Sequence, residues 1–587
     1  MIKLFKNLTK KDLLIVLSCI IIMFFQVWIE LKLPDYMSTI TKLIQTDGSS
    51  INEIIRQGLF MLICAFGSML SAITIGYLAS TLSARFSLKL REKVFKKVQE
   101  FGIAEIKKLS TSSLITRTTN DVTQIEMLIA IGLQAMIKAP IMAVWAITKI
   151  VNKSAELSSL VGIGVIILLI TVFSIMSVVT PKFSKIQKLT DKVNNSTREN
   201  LIGIRVIRAF NAEKFQTNRF KKINNDLTDT HILIQKTFAI MNPIMNLVMH
   251  FLTLGVSFIG ANLILKLTMI DKINLFSNMI VFTSYGMQVI MSFLMLTMIF
   301  MVIPRAKVSA NRINEVLELD ISIKDGTISK NDNNIKGTIE FKNVSFKYPD
   351  ADEYLLENIS FKANTGETIA FIGSTGSGKS TLINLIPRFY DATDGEILVN
   401  DINVKDYKLN TLHNIIGYVP QKAFMFTGTV LENIKFGSTN KKESTKKEIE
   451  KAIEVAQAKD FVNSMDKGIN SHIARGGTNV SGGQKQRLSI ARAIARDPEI
   501  YIFDDTFSAL DYKTDSTLRK ELKKHTKNAT VLIVAQRIGT IMNADKIVVL
   551  DKGKCVGIGT HEYLLKNCQV YKEIALSQFR EEELNNA

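Results

Sequence analysis

Cysteine is scarce: four occur in 587 residues. Cys19 and Cys64 fall in apolar runs and Cys555 and Cys568 near the C-terminal end, a scatter that matches neither a metal-ligand spacing nor a secreted disulfide framework. A small-residue cleavage site is also missing after the first apolar run. That run is too long for a signal-peptide core, so it is expected to remain as a membrane span. The formal net charge of +19 would favour a nucleic-acid partner if the basic residues gathered in one aromatic-laced patch. They are instead spread along the connections between apolar runs and through the second half of the chain, which excludes nucleic acid as the natural reading. Long apolar runs, finally, are nearly absent beyond residue 305.

Before that point they dominate. Residues 13 to 34, 58 to 82, 124 to 148, 157 to 180, 238 to 265 and 275 to 303 are each long enough to cross about 30 Å of hydrocarbon at about 1.5 Å per residue. Six spans are predicted. The third run, interrupted by Lys138 and Pro140, and the fifth, by Asn242, Pro243 and His250, have a buried soluble helix as their alternative. Lys and Arg in the connections set the orientation. Lys3, Lys6, Lys10 and Lys11 precede the first run, and Arg85, Lys89, Arg91, Lys93, Lys96, Lys97, Lys107, Lys108 and Arg117 follow the second, so both segments belong in the cytoplasm. The connection from 35 to 57 holds only Lys42 and Arg56 and, like the short ones near 149 to 156 and 266 to 273, is expected outside. An even number of spans returns residues 305 to 587 to the cytoplasm. The two long cytoplasmic connections stay periodic, so the helices are expected to continue well beyond the membrane.

The stretch from Asp320 to Lys336, with Lys-Asp-Gly at 324 to 326 and Asn-Asp-Asn-Asn at 331 to 334, is predicted to be a linker. The pattern then changes period. Ile339, Phe341, Val344 and Phe346 point to short half-buried strands, and 368 to 372, 501 to 503 and 531 to 534 to buried ones, with a helix over 380 to 389. This is α/β organisation with a parallel core.

The first buried strand feeds Gly373-Ser374-Thr375-Gly376-Ser377-Gly378-Lys379-Ser380-Thr381. In such a loop the glycines let backbone N–H groups turn toward phosphates, Lys379 reaches the terminal phosphates and the Ser380 hydroxyl can hold Mg²⁺. Alone it names a nucleotide binder. With Ser481-Gly482-Gly483-Gln484 and an apolar run ending in Asp504-Asp505, the chain resembles the ATP-binding cassette (ABC) family, strongly over 338 to 562 and moderately over 1 to 315. Residues 113 to 121 and 199 to 213 look like the intracellular-loop patterns of ABC exporters of the multidrug type (type I exporters, or type IV ABC transporters), and imply coupling helices docking on ATPase domains, one typically on the partner's.

The resemblance implies an all-α six-helix transmembrane domain over 1 to 315, a linker over 316 to 336 and a cytoplasmic α/β P-loop ABC ATPase domain over 337 to 587, with ATP and Mg²⁺ as cofactors. Tyr348 matches the family's adenine-stacking aromatic, with a plain core tyrosine as the alternative. Gln421 matches the glutamine that contacts Mg²⁺ and water, Asp504 the carboxylate that orients Mg²⁺, and Ser508 to Asp511 the loop that crosses to the other nucleotide site.

Two positions depart from the family's active pattern. Asp505 stands where an active cassette has glutamate, and Gln536 where it has histidine. An aspartate carboxylate lies more than about 1 Å short of a glutamate's, a displacement that can cost on the order of a hundredfold. Glutamine can hydrogen-bond near the γ-phosphate but carries no positive charge. The intact signature at 481 to 484 would be idle opposite an impaired partner. The expected arrangement is therefore a heterodimer with a second ABC half-transporter, in which this chain holds the degenerate site and lends its signature to the active one; Gly476 to Val480 resembles such degenerate-side subunits too.

In the fifth span Asn242, Asn246, His250, Thr253 and Ser257 share one helix face, and in the sixth Ser284, Gln288 and Ser292 do so among Met287, Met291, Met295 and Met298. Cavity lining and helix packing remain the two alternatives for these stripes, as cavity group and snorkelling side chain do for Lys138. The function expected is ATP-driven export of amphipathic or hydrophobic drugs, peptides or lipids across the cell membrane. A lipid or peptide translocase is its rival, and an ATP-gated channel or regulatory subunit a more distant one. Anionic membrane lipid and ATP account for the positive charge, and the wealth of Ile, Lys and Asn is compatible with an A+T-rich bacterial gene.

Overall fold

The computed structural model describes residues 2–6, 8–46, 48–151, 155–265, 269–329, 335–438 and 444–579. The Asn-Asp-Asn-Asn turn expected at 331 to 334 lies outside the described residues. The chain divides into two compact units, one formed by 1–100 and 109–320, the other by 101–108 and 321–587.

In the first unit, six helical stretches among the described residues are long and apolar enough to cross a membrane. Their helices are α1 (Lys10–Gln45), α2 (Ile51–Gln99), α3 (Asn120–Val151), α4 (Ala155–Ile202), α5 (Met241–Ile264), entered directly from Glu213–Ala239, and α6 (Met269–Glu318). Each expected apolar run falls on one of them, the fifth crossing the break at Ile240. α1 starts where Thr9 caps it, its hydroxyl accepting from the Asp12 N–H while the Asp12 carboxylate accepts from the Thr9 N–H. Pro140 lies inside α3, whereas Pro243 sits in the first turn of α5, where a missing N–H costs nothing. The 49 residues of α2 and 50 of α6 give lengths of roughly 75 Å at 1.5 Å per residue, far more than the roughly 30 Å of hydrocarbon. Leu13, Ile21, Phe66 and Phe173 point outward, between 61 and 78 % exposed, as lipid-facing side chains do.

The helices pack through Met142, Ala146, Val248, Leu252, Tyr285 and Val289, which are buried in one cluster. The two polar stripes separate here. The buried face of α5 is Met241, Met245, Val248, Leu252 and Val256, so Asn242, Asn246, His250 and Ser257 lie on the opposite, open face. In α6, by contrast, Ser292 is buried and Gln288 donates to the Glu30 carbonyl of α1 at 3.5 Å, so this stripe packs against a helix while Met287 and Met291 face outward.

The second unit holds an antiparallel sheet of β1 (Ile339–Phe346), β2 (Leu356–Ala363) and β4 (Asp394–Val399), with Ile402–Asn403 added at the edge. The other sheet contains β3 (Thr368–Gly373), β5 (Ile416–Val419), β6 (Ile500–Asp504), β7 (Thr530–Val534), β8 (Lys546–Asp551) and β9 (Lys554–Gly559), in the order β9-β8-β3-β7-β6-β5. All neighbours there are parallel except β8 and β9. Successive residues of the central strands enter opposite cores: Ala370, Tyr501, Phe503 and Val531 one, Ile369, Phe371, Ile502 and Leu532 the other. Burial on both faces explains why these strands read as continuous apolar runs.

Three boundaries differ from the sequence reading. The helix after the phosphate loop, α7 (Lys379–Leu385), stops short of Phe389: Ile386 is still in helical backbone, but Pro387 has no N–H to continue the hydrogen-bond ladder. α6 runs on to Glu318, into the expected linker. Residues 101–108 belong with the second unit: Ile103 and Ala104 pack on its core, and Glu105 accepts the Ser322 N–H at 3.0 Å. Those hydrogen bonds outweigh burial and hold the Glu105 carboxyl below its ordinary range.

Candidate nucleotide site

β3 ends at Gly373, paired with Leu550 of β8, and the chain turns through the loop into α7. A Cβ at Gly373 would lie 2.0 Å from the Leu550 carbonyl oxygen, so only glycine fits that close approach. Gly378, with φ of +94°, caps α7 in left-handed backbone. The Lys379 ammonium folds back onto the loop, donating to the carbonyls of Gly373 at 2.9 Å and Ser374 at 2.8 Å. Burial lowers its pKa, partly opposed by the carboxylates of Asp505 and Asp504.

A cavity of about 320 Å³ opens beside this loop, lined by Tyr348, Leu355, Thr375, Gly376, Gly378, Lys379, Ser380, Thr381, Gln421, Asp505, Val534 and Gln536. Ten of the site residues expected from the sequence therefore meet at one cavity. Leu355 and Val534 are additions, apolar residues with no chemical signature. Asp504, at the end of β6, joins through Ser380, whose hydroxyl donates to its Oδ1 at 2.8 Å. Burial raises the Asp504 carboxyl above the usual range, with Asp505 adding to the shift. Hydroxyl, carboxylate and the Gln421 amide oxygen are hard oxygen donors of the kind Mg²⁺ takes, and their gathering beside the phosphate loop fits that ion. When bound, Mg²⁺ would neutralise phosphate charge.

Asp505 is 7 % exposed and adopts left-handed backbone, φ +45°, its N–H bound to the Val534 carbonyl. Its Oδ2 accepts from Gln536 Nε2 at 2.7 Å and Gln421 Nε2 at 3.2 Å. The Gln536 carbonyl is in turn held by Gln578 at 2.8 Å. The carboxylate is thus clamped by two neutral amides.

The Tyr348 hydroxyl shares a 2.9 Å hydrogen bond with Thr381, and its ring packs edge-on against Tyr390 at 5.3 Å. Lys107 lies over the same ring, its ammonium 5.2 Å from the centroid. Sequence reading used Lys107 only as an orientation charge; nothing local signals this contact.

Ser481 to Gln484 do not line the cavity. Ser481 caps α8 (Gly482–Ala495), accepting from the Gln484 N–H while the Gln484 side chain accepts from the Ser481 N–H. Gln486 of this helix donates to the Pro420 carbonyl at 3.1 Å, tying α8 to the segment that carries Gln421.

A family profile described as the ABC transporter transmembrane region matches residues 13–303, and one described as ABC transporter matches 356–508. The chain is an ABC transporter. An uncharacterized ABC transporter ATP-binding protein of Mycobacterium tuberculosis is 38 % identical over 92 % of this chain and 93 % of its own length. An ATP-dependent lipid A-core flippase of Aliivibrio fischeri is 31 % identical over 91 % and 90 %. The solved structure of a bacterial Atm1-family ABC exporter with ATP bound matches with a TM-score of 0.82 over 97 % of this chain and 98 % of that one, at 22 % identity, a likeness of fold. ABC ATPase domains bind ATP, normally with Mg²⁺, and the loop, cavity and oxygen donors of this transporter are built for that ligand.

Proposed function

We propose that this chain is one half of a heterodimeric ABC exporter that uses ATP to move amphipathic or hydrophobic compounds, whether drugs, peptides or lipids, outward across the cell membrane, and that its own ATP site is the slow one. In this reading Tyr348 stacks on adenine, Gly373 to Thr381 hold the phosphates, and Ser380, Asp504 and Gln421 hold Mg²⁺. Ser481 to Gln484 close over ATP on the partner.

The observation that carries the reading is the pair of amides on Asp505. The Asp505 carboxylate is shorter than a glutamate's, and one of its two oxygens, Oδ2, is held by Gln421 and by Gln536, the residue at the histidine position, so neutral amides restrain the group that would have to reach the attacking water. An intact signature outside this chain's own cavity supports a partner that uses it. So does the apolar run Leu201, Ile202, Val206 and Phe210, between 61 and 78 % exposed where a coupling segment is expected.

Purification of the chain alone and with its co-expressed partner tests the proposal. The chain alone should turn over ATP slowly and the pair quickly; a self-assembled chain matching the pair would sink it. The lipid A-core flippase relatives favour a second reading, a lipid translocase. Vesicle assays comparing drug with labelled-lipid movement separate the two.

A further inference from the structure

Within the first unit a cavity of about 220 Å³ is walled by Met23, Ile75, Ile131, Ala135, Met295 and Met298, residues of α1, α2, α3 and α6, with Gln26, Gln134 and Lys138 as its polar members. Lys138 reaches Glu30 of α1, Nζ to Oε1 2.9 Å, each side chain only one-fifth exposed. The same oxygen accepts from Gln26 Nε2 and Ser68 Oγ, both at 2.9 Å. Glu30 is thus held by donors from α1, α2 and α3. It does not itself line the cavity; Lys138 does.

A charged pair at this depth needs a reason, because ionised groups in a membrane segment are costly and retained chiefly where they pair or serve a path. The pair settles its own charge. What it leaves over is donor capacity: an ammonium has three N–H groups, and among the described residues Glu30 is the one partner of Lys138. Gln134 adds an amide with no partner among the described residues. A charged ligand would enter without a countercharge, since Lys138 is already neutralised and Glu30 stands directly behind it. A neutral oxygen acceptor instead takes a charge-assisted hydrogen bond at no ionic cost. The thioether walls adapt to varied apolar shapes.

We propose that this cavity binds an uncharged amphipath, an apolar body whose carbonyl or hydroxyl oxygens accept from the Lys138 ammonium. It deepens the export reading by naming the class of compound carried, but binding at the cavity is measurable whether or not export follows.

The test uses three fluorescent probes sharing one apolar body and ending in a tertiary amide, a quaternary ammonium or a sulfonate. Binding is read by anisotropy on the full chain, with its partner, in nanodiscs. The amide probe should bind at least tenfold tighter than either ion. Lys138→Met, leaving Glu30 uncompensated, should cost the amide tenfold and improve the ammonium. Glu30→Gln, leaving Lys138 uncompensated, should improve the sulfonate. The double variant E30Q/K138M carries neither charge; it should lose the amide preference and favour no ion, which keeps the test decisive should a single variant fail to fold. Preference of the wild type for a charged probe, or a ranking unmoved in the variants, overturns the proposal. ATP-driven uptake of the amide probe into vesicles is scored separately: correct ranking without uptake refutes export and leaves the cavity assignment standing.

Discussion

Gln536 donates its side-chain amide to Asp505 Oδ2 at 2.7 Å, the same oxygen to which Gln421 donates at 3.2 Å. Together they tie one oxygen of a carboxylate that an active cassette would present to water to two neutral amides. Asp505→Ala should therefore lower turnover of the assembled transporter less than about threefold, whereas removing the partner's glutamate should cost roughly 10² to 10⁴, the usual range for a general base. Steady-state ATPase rates of the two variants decide it. Equal losses would contradict the assignment of the slow site to this chain.

Gly373 supports a structural prediction. A methyl group there meets the Leu550 carbonyl at 2.0 Å, and that carbonyl belongs to a strand fixed by pairing with β3. Gly373→Ala should destabilise the loop by about 1–3 kcal/mol, as overpacking does, and sharply reduce nucleotide affinity. Gly376 has φ of +87° but open space around it, so Gly376→Ala should cost only about 1–2 kcal/mol from its left-handed backbone. Binding of a fluorescent ATP analogue should weaken more for the first variant than for the second.

What the sequence reveals of this molecule is what lies within a few residues along the chain. The apolar runs predict the six long helices, and the loop chemistry identifies Lys379 and Ser380, because strand, loop and helix follow one another directly; Asp504 is marked by the apolar run it ends, while its bond to Ser380 is not legible in the sequence. The identities of Asp505 and Gln536 are legible too; their contact is not, since it depends on how the ends of β6 and β7 lie side by side. Lys107 over Tyr348 and Glu30 against Lys138 are contacts between residues far apart in sequence, and no periodicity announces them. The polar stripes on α5 and α6 read alike in sequence, yet one faces outward and the other packs on α1, a difference set by helix rotation.

Asp504 supports a prediction in pH. Burial raises its pKa, so the folded site takes up a proton at a higher pH than a free aspartate, near 3.9, would. For stability the sign runs opposite to that of a salt-bridged carboxylate: this group's contribution is fully present below the unfolded value and lost as pH rises through the folded one. Mg²⁺ binding needs the ionised form, so the gain in ATP affinity on adding Mg²⁺ should shrink as pH is lowered, beginning at a higher pH than a free aspartate would dictate. Asp504→Asn should remove most of that gain and its pH dependence. Calorimetric titrations with and without Mg²⁺ over a series of falling pH values provide the check, and a wild-type gain whose pH dependence matches that of Asp504→Asn would contradict it.

Ser481 caps α8 away from this chain's own nucleotide cavity, so its substitution separates the two sites of the assembled transporter. Ser481→Ala removes an N-cap worth about 0.5–2 kcal/mol, which the rest of the capped helix should tolerate. Turnover should fall strongly while ATP analogue bound at Lys379 is retained, as read by photolabelling of this chain. Lost labelling here with turnover preserved would reverse the assignment of the signature.

Restoring the missing groups tests whether Asp505 and Gln536 cause the slow site or merely accompany it. Asp505→Glu alone lengthens the carboxylate but leaves Gln536 and Gln421 free to hold it, and Gln536→His alone supplies an imidazole without a carboxylate long enough to reach water. The double variant D505E/Q536H should therefore raise hydrolysis at this site by more than the product of the single changes, the behaviour of residues that act as a unit. It is measured in a transporter whose partner glutamate has been removed, so that the signal comes from this chain's site. Left-handed backbone at 505 favours Asp slightly over Glu, which limits the single change further. With the partner's signature verified as intact, an unchanged rate in the double variant would show that the loop geometry, not these two side chains, keeps the site slow.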